Sequence, residues 1–145
     1  MSTSSPTKTP ATKNADLDVG RKAILTEMDG LKALAESLDG NFTKAVDIIH
    51  QMKTERRARL IVAGIGKSGH VAKKLVATLA STGTPSHFVH PGEASHGDMG
   101  MITSADVVLA LSNSGETDEL VVLIPLLKRI GVPLIAMTGN PRSSL

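Results

Sequence analysis

Two turns concentrate the residues able to do chemistry. The first, Gly64-Ile65-Gly66-Lys67-Ser68-Gly69, offers an ammonium, a hydroxyl and the open backbone amides around Gly66. The second, Ser112-Asn113-Ser114-Gly115-Glu116-Thr117, offers hydroxyls on Ser112, Ser114 and Thr117 and the amides around Gly115. Each follows a short apolar run, residues 60–63 or 107–111, and each precedes a segment of helical periodicity. A strand, a Gly/Ser turn and a helix start bring backbone N–H groups, small hydroxyls and the positive end of a helix dipole to one point, which suits a phosphate. Two such turns in 145 residues point to a phosphorylated ligand gripped from both sides.

Other readings of these residues fare less well. Gly64-x-Gly66-x-x-Gly69 matches the dinucleotide fingerprint, but the second strand ends in His87-Phe88-Val89-His90, with no acid to accept a ribose hydroxyl. A nucleotide P-loop needs a glycine five residues before Gly66, where Ile61 stands. Lys67 is either a solvated loop lysine or a group that pairs with phosphate or polarises a carbonyl, and its place between glycines favours the second. Ser112, Ser114 and Thr117 can serve as helix caps, although three hydroxyls exceed what a cap needs. Glu116, Asp118 and Glu119 suit the first turn of a helix as dipole partners, and one of them facing the crevice would be a general base. Spacing does not choose among them. The loop from His90 to Asp98 adds His90, Glu93, His96 and Asp98; its irregular spacing fixes no metal geometry, so acid/base or substrate-orienting roles are preferred. His50, His70 and His87 are read as structural. No metal and no cofactor are expected.

The elements that must position these turns follow from periodicity. Residues 1–17 have almost no apolar content and are expected to form a disordered tail rather than a transit peptide. From residue 17 to 38 apolar residues recur at three and four, which predicts an amphipathic helix closed by Asp39-Gly40. Asn41 is expected to cap a second helix through Met52. The two helices look like a cover or an oligomer face. Strands at 59–63, 86–89, 107–111 and 134–138 then alternate with helices at 68–81 and 116–130, the latter kinked at Pro125 and ended by Gly131, and with a loop at 91–100. Unbroken Val/Ile/Leu/Ala strands separated by helices predict a doubly wound parallel sheet, a three-layer αβα sandwich with flavodoxin-like order 2-1-3-4. Ligands sit where such an order reverses, between strands one and three, which carry the two turns.

Composition excludes several classes. There is no apolar run near twenty residues, hence no membrane span. The absence of cysteine excludes disulfides and thiolate zinc sites and fits a cytoplasmic protein. The net charge is +2, and the one dense basic run, Lys53, Arg56, Arg57 and Arg59, reads as a solvated helix C-terminus. With two Phe and no Trp or Tyr there is no stacking platform for bases, and no nucleic-acid partner is expected.

Taken in series, Gly64-Ile-Gly-Lys-Ser-Gly-His70, Ser81-Thr-Gly-Thr-Pro85, His90-Pro-Gly-Glu-Ala-Ser-His-Gly-Asp-Met-Gly100, Ser112-Asn-Ser-Gly-Glu116, Val132-Pro-Leu-Ile135 and Thr138-Gly139 resemble the sugar isomerase (SIS) domain family, and within it the D-arabinose-5-phosphate isomerase branch. The resemblance runs from about residue 17 to 145. It implies interconversion of D-ribulose 5-phosphate and D-arabinose 5-phosphate through an enediol, supplying the precursor of Kdo, a lipopolysaccharide sugar. It also implies assembly as a homodimer or tetramer. It further implies that Lys67 orients substrate, that Glu119 is a catalytic carboxylate, that His96 lines the site, and that Ser68, Ser112, Ser114 and Thr117 hold the phosphate. Members of the branch continue with a fifth strand, a long helix bringing a second catalytic Glu and a His, and a paired regulatory module. Residues 18–145 are therefore expected to be an incomplete SIS domain. Two other functions stay open: a non-catalytic sugar-phosphate-binding domain, and an oligomerising fragment.

Overall fold

The computed structural model describes residues 10–54, 58–94 and 97–145. These divide into two compact units, one ending at Phe42 and one running from Thr43 to Leu145. In the first unit, helix α1 (Pro10–Ser37) begins with a proline, a residue suited to the first helical position because its missing N–H would have no helical partner there. The helix thus takes in residues 10–17, which composition alone assigns to a tail. Its apolar residues Ile24, Leu25, Met28, Leu31 and Leu34 are all more than half exposed. Helix α2 (Gly40–Met52) starts one residue before Asn41, and the cap is Asp39 rather than Asn41: its Oδ1 accepts the Asn41 N–H at 2.8 Å.

The second unit is built on four parallel strands, β1 (Leu60–Gly64), β2 (Ser86–Val89), β3 (Val107–Ser112) and β4 (Leu134–Thr138), in the order β2-β1-β3-β4. This is the order expected from the sequence. Alternation within each strand feeds two cores, because successive side chains point to opposite faces. Leu60, Val62, Leu109 and Leu111 pack with Ile48, Ile49 and Met52 of α2 and with Ala72, Leu75 and Val76 of α3 (Gly66–Ser81). Ile61 and Val108 pack on the other face with Leu123 and Leu127. The result is the expected αβα sandwich.

The segment read as one kinked helix is two: α5 (Asp118–Val121) and α6 (Leu123–Ile130). Pro125 has no N–H for the Val121 carbonyl, and its ring crowds that carbonyl, so the helix breaks a full turn before the proline. Both follow a four-residue helix, α4 (Pro91–Ala94), which comes directly after β2 and His90. Gly131, left-handed at φ 79°, ends α6 as expected.

Arg59 is not part of a solvated basic face; Arg56 and Arg57 lie outside the described residues. At the amino end of the sheet, Asp106 is fully buried, and its Oδ1 accepts the Arg59 N–H at 2.8 Å and Nε at 3.3 Å. Its Oδ2 accepts Arg59 Nη2 at 3.1 Å, the Thr103 N–H at 2.9 Å and the Thr103 hydroxyl at 3.1 Å. Burial pushes the Asp106 carboxyl up, but the Arg59 side chain and the Thr103 and Arg59 amides outweigh burial and hold it below its ordinary value. This clamp fixes the start of β1 against the start of β3.

Candidate functional site

At the carboxyl ends of the strands the first turn closes tightly. Gly66 takes a left-handed φ of 56°, and Gly69 lies so close to β1 that a Cβ there would meet the Gly64 carbonyl oxygen at 2.8 Å. Ile65 is the N-cap of α3, and no side chain caps that helix, so its first-turn amides stay available to a ligand. Lys67 is exposed on this turn and Ser68 is half-buried.

The second turn is organised by its own hydroxyls. Ser112 is buried, and its Oγ accepts the Gly115 N–H at 3.0 Å and lies 2.8 Å from Thr117 Oγ1 and 3.5 Å from Ser114 Oγ. Ser114 Oγ accepts the Glu116 N–H at 3.2 Å. Thr117 sits at the N-cap of α5, yet its hydroxyl makes no capping bond. The capping alternative therefore fails for Thr117; the hydroxyl belongs to the turn. The three hydroxyls carry three protons, and the two contacts of Ser112, with Thr117 and with Ser114, use two of them. The third is free to be donated to an anion.

A cleft of about 380 Å³ opens between these turns, lined by Lys67, Ser68 and Val71 of α3, Leu111, Ser112 and Asn113 of β3 and its turn, and Met137, Thr138 and Gly139 at the tip of β4. The structure thus brings Lys67, Ser68 and Ser112 to one cleft. Ser114, Gly115 and Thr117 join through their bonds to Ser112 rather than by lining the cleft. Gly66 lines a smaller neighbouring hollow with His70, Lys73, Phe88 and His90. Glu119 is exposed on α5 and is not among the lining residues. His96 lies outside the described residues. Asn113, Thr138, Gly139 and the apolar pair Val71 and Met137 are additions that reading the two turns alone missed. The signal for the β4 residues was the strand order, which places the tip of β4 beside that of β3.

The segment after β2 holds more structure than a loop. Pro91 opens the one-turn helix α4 (Pro91–Ala94), and a 3-10 turn spans Asp98–Met101. His90 precedes the helix as its cap: its carbonyl accepts the Glu93 and Ala94 N–H groups at 3.0 Å, and its Nδ1 accepts the Gly92 N–H at 3.2 Å. Nδ1 is therefore unprotonated, and Nε2 is the nitrogen able to donate. A larger cavity of about 420 Å³ lies at the other end of the sheet, beside Met52 and Pro133. Among the described residues, the ionisable group in its wall is Asp106, already fully engaged by Arg59 and Thr103. Size does not make it the better site.

Fold and cleft together define a doubly wound α/β domain with a crevice where the strand order reverses, reached by Lys67, Ser68 and Ser112. The SIS domain model matches residues 54–145, well over half of the chain, and the chain belongs to the SIS domain family. Arabinose 5-phosphate isomerase KdsD of Pseudomonas aeruginosa is 58% identical over 125 residues, covering 86% of this chain and 37% of that protein. KdsD of Escherichia coli K12 is 51% identical over 126 residues, 87% of this chain and 37% of the relative. The chain therefore spans a little over a third of the length of these curated relatives. Among solved structures, an Escherichia coli CFT073 protein in complex with arabinose 5-phosphate superposes with a TM-score of 0.80 at 41% identity, covering 91% of this chain and 69% of that one.

Proposed function

We propose that this chain carries the substrate-holding part of an aldose–ketose isomerase that interconverts D-arabinose 5-phosphate and D-ribulose 5-phosphate. The observation that carries the reading is the meeting of Lys67, Ser68 and Ser112 in one cleft between two phosphate-type turns. The names of the related proteins support a pentose phosphate as the substrate. In this reading the phosphate rests on the α3 amides beginning at Gly66, on Ser68, and on the Ser112–Ser114–Gly115–Thr117 turn. The Glu119 carboxylate takes the C2 proton of the open-chain aldose and returns it to C1, while the O2 proton moves to O1 with His96 assisting. Lys67 steadies the negative charge that develops on the enediolate oxygens. The net change is one proton from C2 to C1 and one from O2 to O1. No cofactor is called for.

The exposed apolar stripe of α1 supports self-association, which we assign to a homodimer or tetramer. Among the described residues no helix is long and apolar enough to cross a membrane. We place the enzyme in the cytoplasm, in the synthesis of Kdo for lipopolysaccharide. Incubating the chain with ribulose 5-phosphate in deuterated water tests the reading. Deuterium at C2 of product arabinose 5-phosphate, or at C1 of recovered ribulose 5-phosphate, is the expected result. Tight binding without exchange would transfer the site to a non-catalytic sugar-phosphate-binding domain. A melting temperature unmoved by sugar phosphate would remove the ligand altogether.

A further inference from the structure

We propose that Glu116 is a positioning residue: its carboxylate latches the segment after β4 onto the second turn and so holds the phosphate-binding hydroxyls in place. This rests on the proposed function, since it concerns how the same site is kept in shape.

Three bonds join the two segments. The Gly139 N–H donates to the Asn113 carbonyl at 3.1 Å, the Leu145 N–H to the Gly115 carbonyl at 3.2 Å, and the Ser144 N–H to Glu116 Oε1 at 2.8 Å. The donors all come from residues 139–145, and the acceptors follow the turn from Asn113 to Glu116. The strap has its own internal order: Thr138 Oγ1 accepts the Asn140 N–H at 3.1 Å, Asn140 Oδ1 accepts the Arg142 N–H at 3.1 Å, and the Asn140 carbonyl accepts the Ser143 N–H at 3.1 Å. Leu145 anchors its end against Ala63, Ala110 and Leu120.

The fit at Gly115 shows how closely strap and turn meet. Gly115 is left-handed at φ 71°, and the place a Cβ would take is filled by the Ser143 side chain, with Thr138 Oγ1 also within 2.7 Å of it. Ser143 Oγ is buried there with no hydrogen-bond partner among the described residues. Of the three bonds, the one to Glu116 is the only one made by a side chain, and so the only one a substitution can remove without touching the turn's backbone.

The chemistry required of Glu116 is an acceptor oxygen, not a charge or a base. This separates it from Glu119. Glu116→Gln keeps Oε1 and is expected to stay within about threefold of the parent in arabinose 5-phosphate affinity. Glu116→Ala is expected to weaken that affinity about five- to tenfold and to speed amide exchange of residues 113–117 by about tenfold. Ser144→Pro removes the donor from the other side and is expected to reproduce the Ala variant. Affinity is read by titration calorimetry with the parent chain alongside. If the parent binds and exchange at 113–117 is unchanged in Glu116→Ala, the latch is refuted. Faster exchange with parent-like affinity refutes its role in binding. Loss of affinity in Glu116→Gln as large as in Glu116→Ala makes the charge essential and also refutes it. A parent chain that binds no sugar phosphate instead overturns the functional reading on which the latch depends.

Discussion

The two ends of the sheet use polar groups in opposite ways. At the amino end, Asp106 is fully buried and both of its oxygens are committed to Arg59 and Thr103. At the carboxyl end, Lys67 is exposed, the amides opening α3 lack a side-chain cap, and the Ser112, Ser114 and Thr117 hydroxyls keep a proton in reserve. Both ends are polar and both carry charge. What separates structure from function here is spare hydrogen-bonding capacity, because a group with every partner supplied has nothing left to offer a ligand. The larger cavity lies at the committed end and the smaller cleft at the uncommitted one.

The sharpest way to break this contrast is at the uncommitted end. Lys67→Ala and Glu119→Gln are each expected to lower isomerase turnover about 10²- to 10⁴-fold, in the range a general acid–base or charge-stabilising group supplies. Both side chains are exposed, so the melting temperature should stay within a degree or two of the parent. Near-normal turnover in either variant would remove that residue from the mechanism.

At the committed end the same kind of deletion should move stability instead. Asp106→Ala leaves the Arg59 and Thr103 donors without their acceptor. Its cost is expected to be about 3 kcal/mol in urea unfolding, the low end for a broken buried pair because the Arg59 side chain is still about one-third exposed and can rehydrate. The carboxyl lies below its ordinary value of 3.8 in the folded chain. It therefore adds stability that is present above pH 3.8 and disappears as the pH falls through the depressed folded value. Comparing the parent with Asp106→Asn, the stability gap should narrow as the pH is lowered through that window. A gap independent of pH would mean that the charge is not what matters.

Gly69→Ala tests whether the first turn depends on close backbone approach. The added methyl would meet the Gly64 carbonyl oxygen, which is backbone and cannot swing aside. A loss of about 2 kcal/mol in stability is expected, with weaker sugar-phosphate affinity as α3 is pushed off β1. An unchanged unfolding midpoint would show that the turn can relax.

Legibility in the sequence followed the same divide. The strands were readable because buried parallel strands are unbroken runs such as Leu60-Ile61-Val62-Ala63, and the order 2-1-3-4 put the two glycine turns at the switch point. Lys67, Ser68 and Ser112 were therefore legible as neighbours from the sequence. The pairing of Arg59 with Asp106 was not readable: the two are 47 residues apart, and in sequence Arg59 looks like one more cation in a basic run. The break at Val122 was misplaced because a proline disrupts the turn before it, not its own position. Met137 and Thr138 were missed as cleft walls because only the tertiary neighbour relation of β3 and β4 brings them to Ser112.

The smallest expected effect is also the most specific to the hydroxyl cluster. Thr117→Val keeps the shape of the side chain and removes its hydroxyl. Thr117 makes no capping bond, so α5 should lose little stability. What changes is Ser112, whose Oγ loses its 2.8 Å neighbour. The cost in arabinose 5-phosphate affinity is expected to be about 0.5–1.5 kcal/mol, two- to tenfold, as for a single net hydrogen bond. Thr117→Ser restores the hydroxyl without the methyl and should recover most of it. If Thr117→Val binds like the parent while Thr117→Ser weakens binding, the methyl rather than the proton matters, and the turn holds its ligand by packing instead of by reserved hydrogen bonds.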